Sequence, residues 1–167
     1  RAPLREAGCT AYRWLFGEGD GLPGLTVDRY GAFAVAQVYM SGADELVGWL
    51  AEALRAVDPT LRGILLRSRD LDDEEPAERA GDELEAPAAG RRAALLWGEP
   101  PPLQLVVREH GVQLYANLRS GQKTGLFLDH RENRRYVEGI SAGRTLLNCF
   151  AHTGAFSLYA LRGGARE

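Results

Sequence analysis

Cysteine is scarce in this chain, with only Cys9 and Cys149 among 167 residues. Two thiols so far apart build no disulfide framework and lack the clustered spacing of a zinc site, so no structural metal is expected. Long apolar runs are missing too, and none approaches the roughly 20 residues a membrane span needs. The opening RAPLREAGCT has no apolar core of the kind a signal peptide carries. These absences predict a cytoplasmic protein with no membrane partner. Lysine is almost absent: Lys123 stands alone against nineteen arginines, a skew that genome composition can produce. The chain opens at Arg1 rather than at methionine, so further residues are expected upstream.

What is present is ordinary globular material. Hydrophobic residues make up 45% and charged residues 26%, which excludes a disordered tail or a collagen-like chain. The length suits one sizeable core or two small ones. Net charge is −3 but unevenly spread. Asp70–Glu85, DLDDEEPAERAGDELE, holds nine acids and one arginine, while the rest of the chain carries 14 acids against 19 basic residues. The run reads as a solvated acidic loop. The mild positive excess elsewhere permits an RNA partner.

Near residue 120 a series of short strands gives way to a glycine-rich link and a helix–strand–helix pattern. Two units are therefore expected, over residues 1–118 and 119–167. In the first, GLTVDRYGAFAVAQVY has two β-rich runs about Tyr30-Gly31-Ala32, a hairpin pattern. ADELVGWLAEALRAV places Leu46, Leu50, Ala53, Leu54 and Val57 at helical spacing, and Pro59 ends it. GILLRS reads as a strand. Pro100, Pro101 and Pro102 bar a helix, and two alternating strands flank the turn at Glu109-His110-Gly111. The result is a small α+β unit with a hairpin-rich sheet.

In the second unit, Asp129 followed by Glu132 forms a capping-box pattern that predicts a helix start. RTLLNCF predicts a short buried strand, and GAFSLYALRGG a helix stopped by Gly163 or Gly164. The expected class is α/β: the α+β unit followed by the first βα unit of a doubly wound, Rossmann-like domain. A lone βα unit has no neighbouring parallel strands. Residues after about Arg144 are thus expected to be poorly ordered or to pair with another chain, and a homodimer is a candidate arrangement.

Three stretches could carry chemistry. Asn148-Cys149-Phe150-Ala151-His152-Thr153-Gly154-Ala155-Phe156 joins the expected strand to the expected helix, where doubly wound sheets bind cofactors, and Gly154 allows close backbone approach. One glycine cannot supply the dinucleotide fingerprint G-x-G-x-x-G. A phosphate-free S-adenosyl sulfonium compound fits better, although an ordinary strand-to-helix turn fits the same residues. Cys149, at an apolar strand end, reads as a buried small hydrophobe rather than a nucleophile. His130 and His152 lie beside the expected pocket, and His110 reads as an exposed turn residue. The second stretch, GQKTGLFLDHR over residues 121–131, fails as a P-loop because Gln122 and Asn117 stand where glycines belong. Read plainly, Asp129 caps a helix, Leu126 and Leu128 are core and Arg131 is solvated. That leaves Gly121, Gly125 and Lys123 unexplained. The third, GEGDGLPGL from Gly17, reads as a rigid turn before a strand and lacks the alternating carboxylates of a calcium loop.

In order from about Tyr12 to Gly164, these stretches resemble the S-adenosylmethionine-dependent methyltransferases of bacterial 23S ribosomal RNA, whose best-known members make 5-methylcytosine. GEGDGLPGLTVDRYG resembles the opening of that family's central domain, and REHG the turn that names the domain. GQKTGLFLDHR is similar to the segment leading into the methyltransferase domain. LLNCFAHTGAF is similar to the first cofactor motif, with Asn148 in place of the more common aspartate.

The resemblance implies S-adenosyl-L-methionine as cofactor and 23S ribosomal RNA as partner. It implies an RNA-binding PUA domain upstream, a ribose-binding acid after Glu167, and catalytic motifs later still. No catalytic residue is then expected within residues 1–167, and this fragment alone is expected to be inactive. Lys123, Thr124, Gly125, Phe127, Asp129 and Arg131 would line the methionine side of the cofactor pocket. Asn148, Phe150, Thr153, Gly154 and Phe156 would form the first cofactor loop. His152 stands where tyrosine is expected, and His130 where glutamine is frequent. The implied chemistry adds a cysteine to the six-position of an unpaired cytosine so that its five-position accepts the methyl group. TGLFLDHR also resembles a sister family that methylates guanine at its seven-position, without the cysteine. The alternative from another class is a stand-alone RNA-binding module, whose affinity would fall steeply with salt.

Overall fold

The computed structural model describes residues 1–40, 44–68 and 93–166, and the acidic stretch Asp70–Glu85 lies outside the described residues. A short helix α1 (Ala2–Glu6) precedes strands β1 (Ala11–Phe16), β2 (Leu25–Tyr30) and β3 (Phe33–Val38). Helix α2 (Asp44–Val57) crosses to β4 (Gly63–Ser68), followed by β5 (Ala94–Gly98), β6 (Leu105–Glu109) and β7 (Val112–Ala116). Helices α3 (Arg131–Ile140) and α4 (Ala155–Arg162) close the order. Strands β1 to β5 form one sheet in sequence order, and β6–β7 is a separate hairpin. Among the described residues only the β3–β4 pair is parallel, made by the α2 crossover. Among the described residues no helix is long and apolar enough to cross a membrane.

The turns follow from their residues. Tyr30 pairs with Phe33, leaving a two-residue loop that begins with Gly31 at φ 60°, the glycine position of a type II′ turn. Glu109 pairs with Val112. Both loop residues there, His110 at 47° and Gly111 at 81°, have positive φ, as type I′ requires. His110 is half-buried rather than exposed.

Helix α2 covers one sheet face, where Leu50 and Leu54 share a core with Leu25, Val27, Ala36 and Ile64. Ala53 and Val57, expected on the same stripe, are exposed. The buried arc is centred on Leu50 and Leu54, which leaves Ala53 at its edge and Val57 at the helix end.

The second sheet face divides in two. At one end Tyr30, Phe33, Val35 and Leu65 pack with Val107 and Leu114 of the hairpin and with Leu118, Leu126 and Ala155. At the other end the register places Arg13 opposite Asp28, Thr26 opposite Gln37 and Gln37 opposite Arg67. Thr26, Asp28, Gln37 and Arg67 are all buried. An antiparallel sheet ordinarily turns its polar alternation to water; here it lies beneath the segment that follows β7.

The mixed α/β class is as expected, but three expectations for the C-terminal third are corrected. Residues 144–150 form no strand. Leu147 is 87% exposed and Phe150 fully so, because no parallel strand among the described residues pairs with this backbone or covers its side chains. Cys149 is accordingly exposed, not buried. The capping box does not form, because a 3-10 turn over Leu128–His130 runs straight into α3, whose N-cap is His130. Helix α4 and its stop at Gly163 are as expected.

Helices α3 and α4 are tied together by Arg162, which donates two 2.6 Å hydrogen bonds to the Glu138 carboxylate. These bonds hold Glu138 below the usual carboxylate range. The stabilisation is complete above the ordinary carboxylate pKa and is lost as pH falls through the lowered folded-state value. Partial exposure of the pair limits it to less than about 1 kcal/mol. Arg162→Met should therefore lower the melting temperature more at neutral than at strongly acidic pH. Equal shifts at both would refute this assignment.

Candidate functional site

The segment from Asn117 to Arg131 is clamped by the sheet beneath it. Asn117 Oδ1 accepts from the amides of Arg119 and Ser120, both at 3.1 Å, an Asx turn that starts the loop. Arg67 of β4 donates to the carbonyl oxygens of Gly121 (3.1 Å), Leu118 (3.0 Å) and Lys123. The buried Thr124 hydroxyl donates to Asp28 Oδ2 at 2.6 Å and lies 2.7 Å from Tyr30 Oη. Burial, then the Asp28 charge, push the Tyr30 hydroxyl pKa upward. Tyr30 stays protonated and donates to Thr124, giving a directed chain from Tyr30 through Thr124 to Asp28. Arg13 completes the group with two contacts to the Asp28 carboxylate.

The two unexplained glycines acquire a reason. A Cβ at Gly121 would strike the Asn117 carbonyl oxygen, and one at Gly125 (φ 127°) would lie 2.7 Å from Leu118 Cδ2.

A second buried polar group fastens α3 and α4 to the β6–β7 turn. Glu109 has no exposed surface. Its carboxylate accepts from Arg134 Nε at 2.7 Å and Nη2 at 2.8 Å, from Arg131 Nε at 3.2 Å and from Tyr159 Oη at 3.0 Å. Arg131 also donates to the Ala11 carbonyl, and Arg134 to that of Phe127 at 3.1 Å. Burial and the adjacent Glu109 carboxylate raise the Tyr159 pKa, so this hydroxyl remains a donor. Arg131, read plainly from the sequence as solvated, is instead buried and committed to Glu109. The ion pair outweighs the preference of an isolated arginine for water.

Two cavities adjoin across Leu126 and Phe127, which line both. The larger, about 820 Å³, is lined by Lys123, Thr124, Asp129 and Arg131 on one side and by the polar sheet face on the other. The smaller, about 290 Å³, is lined by Asn148, Phe150, Thr153 and Phe156. Gly125 and Gly154 line neither; Gly154, at φ 72°, is the N-cap of α4.

Lys123 Nζ lies 3.8 Å from Asp129 Oδ2 and 5.4 Å from the Phe127 ring centroid. His130 and His152 meet Phe127 edge-on at 5.7 and 5.1 Å, and His130 meets Phe156 at 5.8 Å. Asn148 Nδ2 donates to Ser157 Oγ at 2.9 Å, fixing the side-chain amide against α4. Lys123, Phe150 and His152 have φ of 56°, 59° and 51°, a region that residues other than glycine enter at a cost. Such conformations cluster where a ligand is held.

Sequence reasoning did not single out Asp28, Gln37, Arg67 or Arg134. The only signal for the first two is the polar alternation of LTVDRY and its partner strand, which reads the same whether solvated or buried.

Residues 88–167 match the model of the S-adenosylmethionine-dependent methyltransferases. The chain is 39% identical over 168 residues to a ribosomal RNA large subunit methyltransferase I from Aeromonas salmonicida, covering 100% of this chain and 39% of that protein. It is 43% identical over 166 residues to a ribosomal RNA large subunit methyltransferase from Deinococcus radiodurans, covering 99% of this chain and 38% of the relative. The chain thus spans about two fifths of the length of these relatives. Its fold matches a solved candidate methyltransferase complexed with SAH, with TM-score 0.76 and 31% identity over 95% of this chain and 37% of that one. Over nearly its whole length the chain is similar to large-subunit ribosomal RNA methyltransferases, and its residues 88–167 match the S-adenosylmethionine-dependent methyltransferases, a family whose cofactor is S-adenosyl-L-methionine.

Proposed function

We propose that this chain is the cofactor-facing part of an enzyme that methylates large-subunit ribosomal RNA, with the five-position of cytosine as target. The observation that carries the reading is the meeting of residues 123–131 and 148–156 in two cavities that share Phe127. The donor set fits S-adenosylmethionine. An ammonium and a carboxylate 3.8 Å apart complement a zwitterionic amino-acid end, and the aromatic walls suit an uncharged base. Nothing in this arrangement calls for a phosphate. When bound, the cofactor supplies an electrophilic methyl group, and the protein orients and shields it.

In this reading Lys123 and Asp129 hold the methionine end. Phe127, Phe150 and Phe156 cover apolar surface, and Asn148 and Thr153 supply polar contacts on the loop. Thr124 and Arg131 act as positioning residues, since their polar atoms are engaged by Asp28, Tyr30 and Glu109. Gly125 and Gly154 let the backbone turn. The unit boundary falls at 118/119, and the catalytic groups belong outside residues 1–167.

Titration calorimetry with S-adenosylmethionine tests the site. Phe127→Ala, which opens the wall between the cavities, should weaken binding about tenfold or more; unchanged affinity would place the cofactor elsewhere. Turnover on unmodified large-subunit RNA by residues 1–167 alone would overturn the assignment of catalysis to other residues. The resemblance of TGLFLDHR to guanine enzymes supports a second target. Nucleoside analysis of ribosomal RNA from cells lacking the gene decides between them: loss of 5-methylcytidine supports the first, and loss of 7-methylguanosine the second.

A further inference from the structure

The larger cavity offers more than a cofactor end requires. Its volume, about 820 Å³, lies within the range of whole ligand sites (~300–1,000 Å³). Its floor is the polar half of the sheet, which neither core of the fold uses. Burying polar groups costs free energy unless each is paired, and a face needed only for packing would be apolar. One group on this floor, Gln37, retains hydrogen-bonding capacity. Gln37 accepts from Tyr39 Oη at 2.9 Å through Oε1, while its amide nitrogen makes no hydrogen bond among the described residues.

The rim adds two aromatic faces and two cations. Phe16 is 55% and Tyr39 45% exposed, and both line the cavity. The Arg13 guanidinium stands 5.9 Å from the Phe16 ring centroid. Lys123 lines the same cavity. Exposed aromatic faces beside a side-chain amide, with cations at the edge, are the elements that hold an unpaired nucleotide: the base stacks, its edge is hydrogen-bonded and its phosphate is neutralised.

We propose that this sheet face is a pocket for an unpaired nucleotide of the RNA substrate, with Phe16 and Tyr39 stacking on the base, Gln37 reading its edge and Arg13 contacting its phosphate. The identity of the nucleic acid rests on the methyltransferase reading; the pocket rests on the sheet residues. It places the RNA against the wall whose other side faces the cofactor loop.

The test is fluorescence anisotropy of the protein with short single-stranded oligoribonucleotides at low salt, paired with photo-crosslinking of a 4-thiouridine-containing oligonucleotide and peptide mapping. Phe16→Ala and Gln37→Ala should each weaken RNA binding about tenfold, with S-adenosylmethionine affinity unchanged by calorimetry. Crosslinks should map to peptides containing Phe16 or Tyr39. Phe16 lies at the surface, so its variant tests the pocket even if the Gln37 variant folds poorly. Unchanged RNA affinity in the Phe16 variant, with crosslinks elsewhere, would overturn the pocket and leave the methyltransferase reading intact. Oligonucleotide binding too weak to measure in the unaltered protein would also overturn it. The methyltransferase reading would then stand or fall on the separate nucleoside analysis of ribosomal RNA.

Discussion

Glutamine in place of Glu109 is expected to cost about 3–5 kcal/mol of folding stability, the penalty for breaking a buried ion pair from one side. The carboxylate is fully buried and accepts from two guanidinium groups and a tyrosine hydroxyl. Glutamine keeps the shape but removes the charge, and its amide hydrogens would face the donors of Arg131 and Arg134. Both guanidinium groups are themselves buried, with Arg134 only 1% exposed, so water cannot replace the lost partner. Domains of this size are stable by only ~5–15 kcal/mol, so the variant should show a much lower urea midpoint. A triple replacement of Glu109, Arg131 and Arg134 by methionine should recover much of the loss, because it removes the stranded charges together with their partner. If the glutamine variant unfolds within about 1 kcal/mol of the unaltered protein, the ionic group does not hold α3 to the hairpin.

That experiment also marks where sequence reading runs out. The two hairpin turns were legible because Gly31 and His110-Gly111 sit where the turn types demand positive φ. Helix α2 was legible from its spacing, apart from which of two neighbouring arcs is buried. Glu109 was not, since an acid beside a turn reads as solvated unless its partners are known, and those partners lie 22 and 25 residues away.

The expected strand at 144–150 failed for a related reason. RTLLNCF has a strand's composition, but a strand exists only where another backbone pairs with it. The polar sheet face was hidden because alternation shows which residues share a side and not what covers that side. As for the candidate site, Lys123, Phe127, Asp129 and the 148–156 loop were brought together in sequence only by the family resemblance. No local pattern connects a loop after β7 with one before α4.

Arg67→Met carries the second large effect, and it separates support of the site from contact with the ligand. Arg67 is 3% exposed and bonds three carbonyl oxygens of one loop, those of Leu118, Gly121 and Lys123. Methionine fills similar space without donors. Each bond from a charged donor contributes ~1.5–3 kcal/mol, and buried carbonyls left unpaired cost a further ~1–3 kcal/mol each; since these terms overlap, about 3 kcal/mol or more is expected in urea unfolding. The loop can lower this cost by moving its carbonyls toward water, but Gly121 and Lys123 would then leave their present positions, and Lys123 with them its place beside Asp129. Cofactor affinity should consequently fall by the fraction of molecules that keep the loop in place. Hydrogen exchange at residues 118–125 should accelerate while the α2 amides stay protected. Arg67→Lys, which keeps the charge but cannot fork to three carbonyls, should fall between the two. Loss of stability without faster exchange in the loop would mean that Arg67 supports the sheet alone, and the sheet would no longer be what shapes the cofactor side of the site.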